Sequence, residues 1–434
     1  MNHTEQPDRS RAPETGEFQP RQLPQPEERF LPNGIRRLAL HRPDYGFLRL
    51  DIVCPGGSME YPPSVATAFG RMLKEGSKNF NGTEIAELLD FNGASVVAAP
   101  SNHHTVVSLT ALRRNISKVL PVFFDLLQNP LFPEKELQTL KRQMITELQC
   151  NRETPSFHAR EEIRRLVSGP GHRFARQESE EGIRLISTDT LERCHRMSIA
   201  PARMSAHAAG FADKELLAEI DLYLQRIENL ADTPVQEHMH FKPEAAGIYK
   251  VQVNDSLQHA VAAAVPMPEL KPSDKDYWPL RFAIHALGGY FGSRLMQNIR
   301  EDKGYTYGIY AQYNSLLPEG SFASISCECD PAYTDGVLSE IKAELVKFAE
   351  TPMNDDEHRR LRLSLASGLA GICDTPAKVQ AQYISQQING QGENFYDLYW
   401  KALYEVTPAQ MSEAAARFLN PEELRVAIAG DFRK

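Results

Sequence analysis

The sequence predicts an α+β protein of two homologous domains, each a mostly antiparallel sheet packed with helices. Three observations carry this. The first is duplication: residues 119–148 and 337–369 each read as a helix, a short turn containing Pro and a second helix. Residues 196–211 and 417–432 each read as a helix end, a Pro turn and an alternating strand closed by Gly and Phe. Both matches lie about 220 residues apart, far beyond the roughly 20–50 residues of a solenoid repeat, so a whole domain is repeated. The second is size, since 434 residues with 41% hydrophobic content bury more than one core. The third is that strands and helices mix in each half without the strict alternation of a parallel α/β sheet.

Taken in order, residues 1–28 are polar and rich in Pro, Glu, Gln and Arg, with no apolar core of a secretory signal, and are expected to form a disordered arm. The first domain is expected over 29–231. Its strands are predicted at 48–54, 94–99 and 104–112 and its helices at about 64–78, 83–92 and 115–128. Asn81-Gly82-Thr83 followed by Glu84 is the signal for a helix N-terminus. A linker is expected over 232–244, where Pro234 and Pro243 stand among polar residues. The second domain follows over 245–434. In it Gly304 is expected to end a helix in the left-handed conformation, after which residues 305–312 alternate as a strand.

Charge and composition exclude several functions. A net charge of -9 provides no clustered cationic excess for nucleic acid or an anionic membrane. No apolar run approaches the roughly 20 residues that span a bilayer. The six cysteines, Cys54, Cys150, Cys194, Cys327, Cys329 and Cys373, form no Cys-x-x-Cys pair, which points to reduced thiols and a cytoplasmic location. His103-His104 and His238-x-His240 lack a defined third metal ligand, and there is no Gly-x-Ser-x-Gly nucleophile elbow. The glycine run 288–292 lacks the Gly-Lys-Ser/Thr of a phosphate loop and reads as a flexible, close-packed linker.

A specific pattern remains. Asn33-Gly34, an apolar strand, Gly56-Gly57-Ser58-Met59-Glu60 and then Met72-Leu73-Lys74-Glu75-Gly76-Ser77 follow one another in the first domain. The second domain carries Ser293-Arg294-Leu295, Arg300, Gly304 and Tyr307. In both, the chain resembles the pitrilysin/insulinase family of inverted-motif zinc peptidases, in particular its two-domain processing-peptidase-like subunits, over almost everything after residue 30. The resemblance implies half of a clamshell. It also implies that a zinc helix should carry His-x-x-Glu-His where this chain has Thr67-Ala68-Phe69-Gly70-Arg71. Threonine is a poor zinc ligand, glycine is no base, and arginine repels a dication. No metal or other cofactor is therefore expected in this chain.

The family's third ligand is a glutamate about 76 residues further on, and Glu147 holds that place. Either Arg71 and Glu147 form an ion pair in the vacant site, or Glu147 is a solvated helix residue. Arg300 and Tyr307 match the pair that, by resemblance, binds peptide and polarises the scissile carbonyl; the alternative is a surface charge and a sheet aromatic. The family's peptide-binding sheet edge corresponds to Val97 and Ala98, with Val97 in place of an asparagine and Pro100 in place of a threonine.

The expectation is a zinc-less subunit that supplies Arg300 and Tyr307 to a zinc-bearing partner of the same family, with zinc in that partner and peptide as substrate. A homodimer is the other assembly considered. The alternative function is a structural or assembly protein of the same fold; a solitary peptidase with altered ligands is opposed by Arg71.

Overall fold

The computed structural model describes residues 10, 18–231 and 238–433. Two sheets organise them. The first contains β1 (Glu27–Phe30), β2 (Arg36–His41), β3 (Phe47–Pro55), β4 (Ala94–Pro100), β5 (His104–Leu112) and β6 (Ser205–Gly210), in the order β1-β2-β6-β3-β5-β4. The second contains β7 (Gly247–Gln252), β8 (His259–Met267), β9 (Thr306–Leu316), β10 (Gly320–Cys329) and β11 (Arg425–Gly430), in the order β7-β11-β8-β10-β9. Without β1, the first order becomes the second when each strand is replaced by its counterpart. Each sheet has one parallel pair, β2 with β6 and β7 with β11, among antiparallel neighbours. The sequence duplication is thus a duplicated topology.

Helices of the first domain are α1 (Pro63–Met72), α2 (Gly82–Phe91), α3 (Ile116–Gln128), α4 (Glu134–Arg152), α5 (Pro155–Ser168), α6 (Glu180–Arg184), α7 (Thr188–Ser198) and α8 (Lys214–Gln225). Those of the second are α9 (Tyr277–Gly288), α10 (Thr334–Glu350), α11 (Asp355–Ile372), α12 (Pro376–Ile388), α13 (Phe395–Glu405) and α14 (Pro408–Phe418). Asn81 caps α2 in a reciprocal box with Glu84, an arrangement worth about 1 kcal/mol. The helix predicted over 64–78 stops at Met72. Beyond it the backbone is taken by other partners, Gly76 bridging to Asn81 and accepting from the Leu131 N–H at 2.9 Å.

Of the arm expected over 1–28, residues 1–9 and 11–17 lie outside the described residues. The rest is not free. Leu23 is buried in the core of the second domain. The Tyr404 hydroxyl donates to the Phe18 carbonyl at 2.6 Å, Tyr383 donates to Pro24 at 3.2 Å, and Glu27–Phe30 forms β1. The polarity of the segment concealed this, because tyrosines hold it through its main chain. Of the linker expected over 232–244, residues 232–237 lie outside the described residues. Backbone bonds strap the remainder, with Phe241 donating to Glu319 at 2.9 Å and Lys242 to Ser168 at 3.0 Å.

The two halves are joined by an exchange of equivalent helices. α5 and α12 each follow a long helix and a Thr-Pro pair, Thr154-Pro155 and Thr375-Pro376, and each packs on the sheet of the other domain. The α5 contact is apolar: Ala159, Ile163 and Leu166 lie against Ala260, Ala262 and Ala427, whose small side chains let the helix approach the strands. The α12 contact is polar. Gln380 donates to Asp51 at 2.6 Å, and Gln387 donates to the Ser205 hydroxyl at 2.9 Å.

A charged junction closes the boundary. His103 lies between Glu60, 3.1 Å from its Nδ1, and Glu319 of the β9–β10 turn, 3.0 Å from its Nε2; His238 Nδ1 is 2.8 Å from the other Glu319 oxygen. Burial opposes an imidazolium here, but the hydrogen bonds and charges of Glu319 and Glu60 outweigh it and raise the His103 pKa to about 9. A raised histidine pKa stabilises fully below the ordinary value of the free side chain, and the contribution is lost as pH rises through about 9. The expected outcome is a thermal midpoint that falls by about 2–4 °C from neutral to alkaline pH, with His103→Gln flattening that dependence. The same substitution should cost about 2 kcal/mol, because the buried Glu319 carboxylate is left with His238 alone. A native midpoint indifferent to pH across this range would exclude the charged junction.

Candidate active site

Helix α1 turns its buried stripe, including Val65, Phe69 and Met72, to the core and leaves Thr67 and Arg71, one turn apart, on its outer flank. Helix α4 buries Leu137, Leu140, Met144 and Leu148, which sets Glu147 beside that flank. There the Arg71 guanidinium meets Glu147 as a two-pronged fork, Nη1 donating to Oε1 at 2.9 Å and Nη2 to Oε2 at 2.8 Å. The hydrogen bond lowers the Glu147 pKa and raises that of Arg71. Both groups remain about half exposed, at 52% and 43%, so the pair contributes at most about 1 kcal/mol.

These side chains do not fit a zinc ion. Both Glu147 oxygens are engaged by a permanent cation, and Gly70 has no side chain. Among the described residues no group of three or more His, Cys, Asp or Glu is arranged to hold a metal. The glycine has a packing reason instead: a Cβ at Gly70 would lie 2.9 Å from Pro100 Cδ and 3.0 Å from the Ala98 carbonyl oxygen. The β4 edge therefore packs directly on position 70. Val97, 56% exposed, stands at this edge, while Pro100 removes an N–H donor from it.

Two groups that sequence reasoning missed belong here. Burial raises the Glu178 pKa, while the nearby charges of Arg164 and Arg71 pull it down and Glu147 pushes it up. Charges of alternating sign thus link the Arg71 fork to Arg164 on α5. Glu178 sits in an irregular loop, where no periodicity marks it.

In the second domain a π-helical segment, Met296–Asp302, carries Arg300, and Gly304 follows with φ of 66°, the left-handed conformation glycine favours. Arg300 Nε donates to the Tyr307 carbonyl at 3.0 Å, and its guanidinium lies 4.5 Å from the centre of the Phe291 ring. Opposite, Cys327 pairs with Ile309 but Cys329 pairs with Thr306, so β9 has an extra residue in the Tyr307–Gly308 stretch. Such a bulge re-aims a side chain, and the Tyr307 ring is 94% exposed. Its neighbour behaves differently: Tyr305 stacks on Tyr333 with centroids 4.8 Å apart. Of the glycine run expected to be a flexible, close-packed linker, Gly288 instead ends α9, where a Cβ would lie 2.4 Å from the Ala311 nitrogen.

Tyr307 and Arg164 both line one cavity of about 620 Å³, walled by α5 on one side and by β8, β10 and β9 on the other. His103, His104 and His238, the weaker metal candidates, lie at the domain junction, where His103 and His238 bond to carboxylates.

The profile for Insulinase (Peptidase family M16) matches residues 43–167, and that for the Peptidase M16 inactive domain matches residues 186–365. The chain belongs to the M16 peptidase family. An uncharacterized zinc protease of Streptomyces coelicolor is 22% identical over 358 residues, covering 80% of this chain and 77% of its own. The non-peptidase homolog YmxG of Helicobacter pylori is 24% identical over 309 residues, 70% of each chain. A solved structure described as a peptidase M16 inactive domain, from Pseudomonas fluorescens, superposes with a TM-score of 0.84 at 20% identity, covering 94% of this chain and 98% of that one. Residues 67–71 of this chain read Thr-Ala-Phe-Gly-Arg, with no histidine or glutamate among them.

Packing rather than charge should govern stability at this site. Gly70→Ala is expected to cost about 1–3 kcal/mol in urea denaturation, because Pro100 and the β4 edge must shift. Arg71→Ala is expected to cost less than about 1 kcal/mol. The reverse ranking would show that the ion pair, and not the close approach of strand and helix, holds the site together.

Proposed function

We propose that this M16 chain is a non-catalytic subunit that binds unfolded peptide and presents Tyr307 to the reacting carbonyl in a site completed by a zinc-bearing partner of the same family. The observation that carries this reading is the contrast between two tyrosines two residues apart. Tyr305 is stacked into the fold, whereas Tyr307 is bulged out, 94% exposed, and fixed through its main chain by Arg300. An exposed phenol on a rigid backbone suits donation to an oxygen on which negative charge develops. Arg300 acts as a positioning residue, its guanidinium engaged by the Tyr307 carbonyl, the Phe291 ring and the Glu301 carboxylate. In such a site the partner's own residues would hold the zinc, which would supply an activated water for hydrolysis. The name of the Helicobacter pylori relative, a non-peptidase homolog, supports a non-catalytic member.

A structural or assembly role is the second reading, favoured by the β4 edge, where Val97 and Pro100 stand in place of the residues associated with peptide binding.

Copurification with a His-x-x-Glu-His subunit and cleavage of an unstructured peptide test the proposal. Activity is expected in the mixture and in neither chain alone. Tyr307→Phe should lower kcat by roughly 100–1,000-fold without changing the melting temperature or the affinity of the two chains. Arg300→Ala should also lower kcat, and Arg300→Lys should restore part of it. A stable but inactive complex would favour the assembly role.

A further inference from the structure

The cavity between α5 and the second sheet has a polarity opposite to that of the whole chain. The protein carries a net charge of -9, yet the charged residues lining the cavity are Arg160, Arg164 and Glu328. Arg160 and Arg164 stand one helical turn apart on the same face of α5. Among the described residues, Arg160 has a ring contact with Phe157, 6.0 Å from its centroid, and neither a hydrogen bond nor an ion pair. The nearest acidic oxygen to Arg164, on Glu161, is 4.0 Å away, and the Arg164 Nε is buried without a hydrogen-bond partner. Burial lowers the Arg164 pKa and the charge of Arg160 lowers it further, while Glu161 and Glu178 act in the opposite sense. Two repelling cations face the cavity from α5, and a wall of one sign concentrates ligands of the other.

The opposite wall adds a second, independent element. β9 is the last strand of its sheet, so one side of its main chain is unpaired. Tyr310, Gln312 and Asn314 alternate along it toward the cavity, with Phe322, Ser324 and Ser326 beside them on β10. That is a wall of aromatic and neutral polar groups beside an open strand edge, suited to an extended chain.

We infer that the cavity receives an extended peptide segment bearing acidic side chains, its carboxylates held by Arg160 and Arg164 while its main chain runs along β9. The inference rests on the peptide-binding reading above and names the class of peptide. Glu328, across the cavity, opposes acidic residues at its own end and so sets a direction: the acidic side chains lie toward α5.

The test uses the full chain without a partner. Fluorescent peptides of about twelve residues, long enough to follow β9, are made identical except for three positions occupied by Glu, Gln or Lys, and are titrated by anisotropy. The Glu peptide should bind roughly tenfold more tightly than the Lys peptide, the effect of two partly exposed charge contacts, and the gap should shrink between about 50 mM and about 500 mM salt. Arg160→Gln, at an exposed position, should remove part of the preference, and the Arg160→Gln/Arg164→Gln double variant nearly all of it at an unchanged melting temperature. Glu328→Gln should tighten the Glu peptide and leave the Gln peptide unaffected. Equal affinities for the three peptides, or a preference that survives the Arg160→Gln/Arg164→Gln double variant undiminished, would overturn the acidic assignment while leaving peptide binding intact. Failure of all three to bind would overturn the peptide-binding reading itself.

Discussion

The exchange of α5 and α12 between the two sheets is the constraint on which the rest of the structure depends. Each domain alone leaves one face of its sheet to be covered, and the covering helix comes from its counterpart. On the second sheet the alternating alanines of β8 and β11 let α5 lie close to the strands, and small side chains make that approach favourable because dispersion falls off steeply with separation. The same packing fixes the cavity, since α5 is both the interdomain clamp and one of its walls. The helix carries an apolar stripe for the sheet and two arginines for the space beside it.

The two ends of the site follow opposite physical logics. At the α1 end, positions 67, 70 and 71 hold a polar residue, a gap and a cation, a set unsuited to binding a dication. The guanidinium satisfies both oxygens of Glu147, so the remaining carboxylate is neutralised without metal. The missing side chain at position 70 admits the β4 edge, so the packing there is steric as well as electrostatic. At the β9 end a left-handed glycine ends the helix, a bulge turns one tyrosine outward, and the arginine holds that tyrosine by its carbonyl rather than by its ring.

How much of this was legible depends on the range of the interaction that decides it. The strand at 104–112 and the capped start of α2 at Asn81 and Glu84 were readable because alternation and capping are local. The position of Glu147 relative to Arg71 was readable only through the resemblance, and their contact requires α1 and α4 to pack side by side. Helix α1 ends six residues earlier than its pattern suggested because Gly76 finds partners at Asn81 and Leu131. The polar segment from residue 18 was misread for a related reason: what holds it is its carbonyls, to which composition is blind. Glu178 and the arginines of α5 carry no motif, and only folding gives them neighbours.

The amino-acid sequence by itself determined that the chain is a duplicated α+β protein of the M16 type, that position 70 has no base and position 71 a permanent positive charge, and that Arg300, Gly304 and Tyr307 stand in the order a helix end and a strand require. The family type rests on a resemblance and the duplication on comparing the two halves; the rest are properties of residue identity and backbone preference expressed within a few residues. Tertiary structure alone decided that α5 and α12 trade sheets, that His103 bridges the domains between two carboxylates, that the Tyr307 side chain and not that of Tyr305 is exposed, and that two neighbouring arginines line a cavity in an acidic protein. Each of these is a contact between segments far apart in the chain, set by which surfaces can pack without leaving charge or backbone unsatisfied.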